Sequence, residues 1–218
     1  MLVSTRPPPP TPASGSVLLT LVSYSVLLYD TKVGERWGHN YDLVSHEVWY
    51  RAAQNCEAMI AAGHDPLRVV CDHAHKRGMN FVAHLLLGLH HKPASRVTDG
   101  RQADFTTNHP EWMKGEDTSD KEGGFGVANQ LSYAHAGVRA DRLAVAAEVL
   151  TDYPTDGIEI NFLDCDFRNG RLGPLTVAAT LTRPFLRTDS PFLARGEVAE
   201  HAASLTGWLR DVRAAADS

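Results

Sequence analysis

The chain has 218 residues, 43% hydrophobic and 22% charged, the proportions of a globular domain and not of a disordered or fibrous chain. Its formal charge of −5 and pI near 6.1 exclude the basic footprint of a nucleic-acid binder. Three cysteines, Cys56, Cys71 and Cys165, are too few for a disulfide scaffold and fit the reduced thiols of a cytosol.

Residues 1–15 contain the run RPPPPTPAS, which can form neither a helix nor a central strand, and they read as a disordered tail. The next stretch, SVLLTLVSYSVLLY from Ser16 to Tyr29, is apolar but shorter than the roughly 20 residues of a membrane span. It also lacks a small-residue cleavage site. Its Val, Leu, Thr and Tyr content predicts a buried strand, or two short ones, so no membrane partner is expected. His46–Ala62 places Val48, Ala52, Cys56, Met59 and Ile60 near one helical face, with Gly63 as the stop. Asp65 as N-cap and Pro66 at the first helical position open a second helix that runs to Gly78. Its stripe is Leu67, Val70, Cys71 and Ala74.

Asn80–Gly88, NFVAHLLLG, is a continuous apolar run of strand length, as found in parallel sheets. Residues 89 to about 131 are polar and aperiodic, a loop long enough to suggest function. A helical period returns over Ala136–Thr151 with Val138, Leu143, Ala146, Val149 and Leu150 inward, followed by a strand, DGIEINFL, at Asp156–Leu163. A last helix over Glu197–Ala216 turns Leu205, Trp208, Leu209 and Val212 inward.

Helices alternating with apolar strands mean an α/β fold with parallel strands, either a doubly wound sheet or a β/α barrel. Neither a dinucleotide-binding nor a P-loop glycine motif follows a strand, so no cofactor is expected. Asp72, His73 and His75 sit on a helix, where residues two apart face away from each other, and His90 and His91 have no ligand at metal-site spacing. No metal is expected either. On the DGIEINF strand Gly157, Glu159, Asn161 and Leu163 share one face, and Ile158, Ile160 and Phe162 share the other. An acid and an amide thus stand on one side of a strand that is apolar on the other; a buried Glu paired with an Arg or His is the competing reading.

Several stretches resemble the glycosyl-hydrolase-like barrel proteins related to family-ten-like bacterial glycosidases. They are YDTKVGERWGHN (Tyr29–Asn40), DPLRVVCDHAHKRGMNFVAHLLL (Asp65–Leu87), NHPEW (Asn108–Trp112) with LSYAHAGVRADRLAVAAEVLTDYPTDGIEINF (Leu131–Phe162), and PFLARGEVAEHAASLTGWLRDVRAA (Pro191–Ala215). The resemblance implies a partial (β/α) TIM-like barrel with parallel strands, roughly the first half of the barrel, over residues 16–218. Two departures stand out. The family strand usually ends in aspartate where this chain has Asn161, and residues 164–190 interrupt the pattern without a period of their own, as an insertion or a retained intron. Without the tail and the interruption about 176 residues remain, against roughly 200 for a complete β/α barrel. A fragment of a longer protein is therefore favoured over completion by a second chain through exposed strand edges, the one route to self-association.

The function implied is a glycoside hydrolase-like protein that acts on or binds an oligosaccharide or polysaccharide. Its alternatives are a catalytically inactive carbohydrate-binding relative and a non-functional fragment. Glycoside hydrolysis uses two carboxyl groups. Glu159 is the first candidate, facing inward on its strand. Glu35 in VGERWG is the second, ahead of Asp164. Substrate contacts fall to Asn161, to Trp37 as a flat stacking surface, to His84 in mid-strand and to Asp104 in the long loop.

Overall fold

The computed structural model describes residues 15–23, 26–41, 44, 46–86, 100–112, 131, 133, 135–161 and 195–217. The proline-rich tail up to residue 14 and the interruption at 164–190, with Cys165, lie outside the described residues.

The apolar Ser16–Tyr29 stretch forms two strands. β1 (Ser16–Ser23) is followed by the short β2 (Val26–Leu27), antiparallel to it. α1 (Glu47–Ala61) and α2 (Pro66–Lys76) lead to β3 (Asn80–Leu86). α3 (Asp104–Asn108), a 3-10 turn (Pro110–Trp112) and α4 (Ala136–Asp152) lead to β4 (Gly157–Asn161), and α5 (Arg195–Ala216) follows. The sheet order is β2-β1-β3-β4, with β1, β3 and β4 mutually parallel. Parallel neighbours in chain order need a helical crossover between each pair, and α1–α2 and then α4 supply it.

Local chemistry explains the helix ends. The Asp65 carboxylate accepts the N–H groups of Leu67 and Arg68 and so caps α2, an arrangement worth about 1 kcal/mol. Gly78, in the left-handed region at φ 71, closes the same helix.

Along β3 the burial alternates. Phe81, Ala83 and Leu85 are fully buried and Val82, His84 and Leu86 only half-buried. The buried set belongs to one apolar cluster that joins Leu67, Cys71 and Ala74 of α2, Val138, Val145, Ala146 and Val149 of α4, and Trp208 and Val212 of α5. Ile158 and Ile160 of β4 pack against it. Each buried Leu or Phe contributes about 1.5–3 kcal/mol by leaving water. Along β3 and β4 the helices of this cluster thus cover one face, and the alternate residues are turned the other way.

Three details differ from the sequence expectations. Val48 and Leu209 are 57% and 40% exposed, because α1 buries Ala53 with Cys56 and α5 buries Trp208 with Val212, four residues apart. The stretch expected to be an aperiodic loop holds α3 and the 3-10 turn at Asp104–Trp112. Five and three residues are too short to show a period.

Candidate functional site

The residues that the sequence nominates gather in two groups. The first is a row across the parallel strands. His84 of β3 pairs in register with Glu159 of β4 and with Thr20 of β1, and Leu86 pairs with Asn161. Register partners in a parallel ladder project to the same side, so His84 and Glu159 are neighbours on the face opposite the helix-packing one. Glu159 is exposed. It is therefore not the buried carboxylate of the competing reading. The position of Asn161 in the ladder is described, and its side chain and the whole of Leu163 and Asp164 lie outside the described residues.

The second group lies in the turn after β2 and in α3. The Glu35 carboxylate accepts the backbone N–H of Asp104 at 2.5 Å and of Phe105 at 2.8 Å, doing for α3 what its N-cap residue Ala103 has no side-chain acceptor to do. His39 Nε2 lies 2.9 Å from Glu35 Oε2 and 3.4 Å from Asp104 Oδ2. Partial burial alone would lift the Glu35 carboxyl, but hydrogen bonds from His39 and from the N–H groups of Phe105 and Asp104 outweigh it and hold the group below its usual range. The Glu35 carboxylate in turn raises the basicity of His39 against the effect of burial. The turn that brings Glu35 and His39 together needs Gly38. Its φ is 90, its N–H donates to the Gly100 carbonyl at 2.8 Å, and a Cβ there would meet the Ala53 Cβ at 2.6 Å.

Trp37 is the exception among the nominated residues. It is only 4% exposed, tilted against Trp49 with ring centroids 5.7 Å apart and packed with Val26, Ala53 and Ala103. The flat stacking surface expected from VGERWG is therefore covered by the protein's own side chains. His39 is a member of this group that sequence reasoning misses. Its only signal is the spacing Glu35-x-x-x-His39, uninformative outside a helix, while Asp104 joins it from 65 residues away.

A cleft of about 500 Å³ opens elsewhere, lined by Asp30, Lys32, Asp65, Arg68, Glu148 and Tyr153 among others. Two of its acids are already engaged. Glu148 accepts from the Tyr29 and Thr31 hydroxyls and the Lys32 N–H, and Asp65 accepts from the Tyr153 hydroxyl. None of the nominated residues lines it.

A parallel α/β sheet with an exposed acid on one strand does not by itself assign a function; comparison with known proteins narrows it. Residues 41–168 match the Glycosyl hydrolase-like 10 family, and the chain belongs to that family. Among solved structures it is similar to an alpha-L-fucosidase isoenzyme 2 from Paenibacillus thiaminolyticus, with a TM-score of 0.53 at 15% identity. That likeness covers 93% of this chain and 25% of the fucosidase chain. At such low identity it speaks for the fold alone, and the chain spans about a quarter of that protein's length. No curated protein sequence matches the chain. Among the described residues no helix is long and apolar enough to cross a membrane.

Proposed function

We propose that the chain is part of a β/α-barrel glycoside hydrolase-like protein that acts on or binds an oligosaccharide, with Glu159 as its acid–base group. The single observation behind this reading is the His84–Glu159 row. It is a titratable carboxyl and an imidazole side by side, at the middle of β4 and just past the middle of β3, on the face away from the core cluster. In a closed barrel that face would be the interior, where barrel enzymes keep their chemistry at the carboxyl ends of the strands. The family membership supports a carbohydrate ligand.

Glu35 reads better as an anchor than as the second catalytic carboxyl. Both its oxygens accept hydrogen bonds from the first N–H groups of α3, the work of a helix cap. Asp104 sits with Glu35 and not with the strand row. Asn161 favours a second reading, a binding relative without hydrolysis, because an amide can donate and accept hydrogen bonds but cannot serve as nucleophile or base.

The test is hydrolysis and binding of an oligosaccharide panel by the chain and by Glu159→Gln and Asn161→Asp. Loss of about 10²–10⁴-fold in turnover on Glu159→Gln supports the enzyme reading. Hydrolysis that appears or rises in Asn161→Asp identifies a degenerate enzyme. Sugar binding with no hydrolysis in any variant supports the binding relative, and neither binding nor hydrolysis sinks both.

A further inference from the structure

We propose that Glu35, His39 and Asp104 form a binding site for a divalent transition-metal cation, with zinc the first candidate. The inference does not depend on the glycosidase reading.

Three ligand atoms converge, one imidazole nitrogen and two carboxylate oxygens. His39 Nε2, Glu35 Oε2 and Asp104 Oδ2 are separated by 2.9 and 3.4 Å along the two histidine edges, and suitable atoms of all three residues lie within 4.8 Å of one another. Donors about 2.0–2.1 Å from a tetrahedral zinc stand about 3.3 Å apart. The spacing of the cluster needs only small adjustment to reach that.

The atoms that do not converge are each held from outside the cluster. His39 Nδ1 lies 2.9 Å from the Arg36 carbonyl. A carbonyl only accepts, so Nδ1 carries the proton and Nε2 is turned to the carboxylates. Glu35 Oε1 accepts the Phe105 N–H at 2.8 Å. Asp104 Oδ1 accepts from Asn40 Nδ2 at 2.8 Å. Metal ligands are oriented by this kind of outer hydrogen bond, typically with the second histidine nitrogen on a backbone carbonyl.

Two carboxylate oxygens facing one imidazole nitrogen call for a cation between them. A proton on Nε2 serves Glu35 at 2.9 Å but leaves Asp104 Oδ2 at 3.4 Å, beyond the 2.7–2.9 Å or so of a charge-assisted hydrogen bond. A metal ion among the three would serve both. One imidazole and two carboxylates suit zinc or manganese better than the soft ions that thiolates select. The Asp104 side chain is 56% exposed, which leaves a route for entry and room for water to complete the coordination.

The experiment is calorimetric titration of the chelator-stripped chain with zinc chloride at neutral pH, together with thermal unfolding with and without zinc. One zinc per chain and a raised Tm are expected. His39→Ala and Asp104→Asn should each weaken binding about tenfold or more. His109→Ala, which removes the exposed His109–Glu111 pair, should leave it unchanged. Asp104→Asn keeps the side-chain shape and the backbone N–H that Glu35 accepts, so a folding defect is not expected to mask its effect. The proposal is overturned if no saturable binding occurs, or if zinc binds equally well after both His39→Ala and Asp104→Asn. Nitrogen-15 spectra that show a zinc-insensitive imidazolium at His39 would overturn it as well.

Discussion

His84 and Glu159 occupy the same register position on neighbouring parallel strands, one residue along from the Ala83–Ile158 pair that faces the helices. The two sides of this one ladder therefore differ, one packed against the helices and the other presenting Glu159 to solvent.

That division should appear directly in stability. Phe81 is fully buried in the main core, and Phe81→Ala should cost about 3–5 kcal/mol. Glu159 is exposed, and Glu159→Gln should fall within about 0.5 kcal/mol of the parent. Urea unfolding of both variants checks the contrast. A large loss in Glu159→Gln would mean that the open face is structurally committed.

A second prediction concerns Glu148, which is 6% exposed in α4 and accepts from Tyr29 and Thr31 at 2.8 and 2.7 Å. Burial first, then the Glu148 charge, drives the Tyr29 phenol far above its ordinary value. Glu148→Ala leaves the Tyr29 hydroxyl buried without its acceptor and should cost about 2–4 kcal/mol. A double-mutant cycle of Tyr29→Phe with Glu148→Gln should show coupling of about 0.5 kcal/mol or more, and additivity would refute the bond.

The acid limb of stability should carry a contribution from Asp156. One oxygen of this carboxylate accepts the Phe81 N–H at 2.7 Å and also meets His75 Nε2 at 2.7 Å. Those two bonds, the backbone one first, hold its pKa below the usual range. A carboxyl depressed in the folded state stabilises it above the unfolded value, near pH 4, and the contribution disappears as pH falls through the lower folded value. The stability gap between the parent and Asp156→Asn should therefore be constant above about pH 4 and close below it. Denaturation curves from neutral pH downward measure this, and a gap that widens in acid has the wrong sign.

Cys56 should be an inert thiol in the native chain. Burial pushes it up to about 11, with the Glu57 charge adding to the shift. Since the thiolate is the reactive form, iodoacetamide at neutral pH should label Cys56 much more slowly in the folded than in the urea-unfolded chain. Peptide mapping by mass spectrometry reads the ratio, and equal rates would contradict the burial.

Elements long enough to repeat their pattern are legible in the amino-acid order alone. The caps Asp65 and Gly78 bound α2, and alternation places His84 and Glu159 each on one face of its strand. What escapes is non-local. Val48 reads as inward because helical phase alone does not say which part of a stripe meets a neighbour, and α1 turns Ala53 to its partner. Trp37 reads as available because nothing local announces that Trp49 and Ala103 cover it. His39 gives no sign of itself, since its meaning depends on Asp104, brought to it by the tertiary fold and by no spacing in the chain.

The reach of Glu35 to the start of α3, across 69 residues of sequence, also bears on motion. A five-residue helix cannot sustain itself in water, where a nucleus costs more than its few bonds return. Its order is borrowed from the carboxylate at its head and from Gly38, whose N–H ties the turn to Gly100. The turn at residues 35–39 and the segment at 100–108 therefore make one cooperative opening unit, and their amides should exchange with solvent at a common rate. A perturbation at either end is felt at the other as a change in how often both come undone.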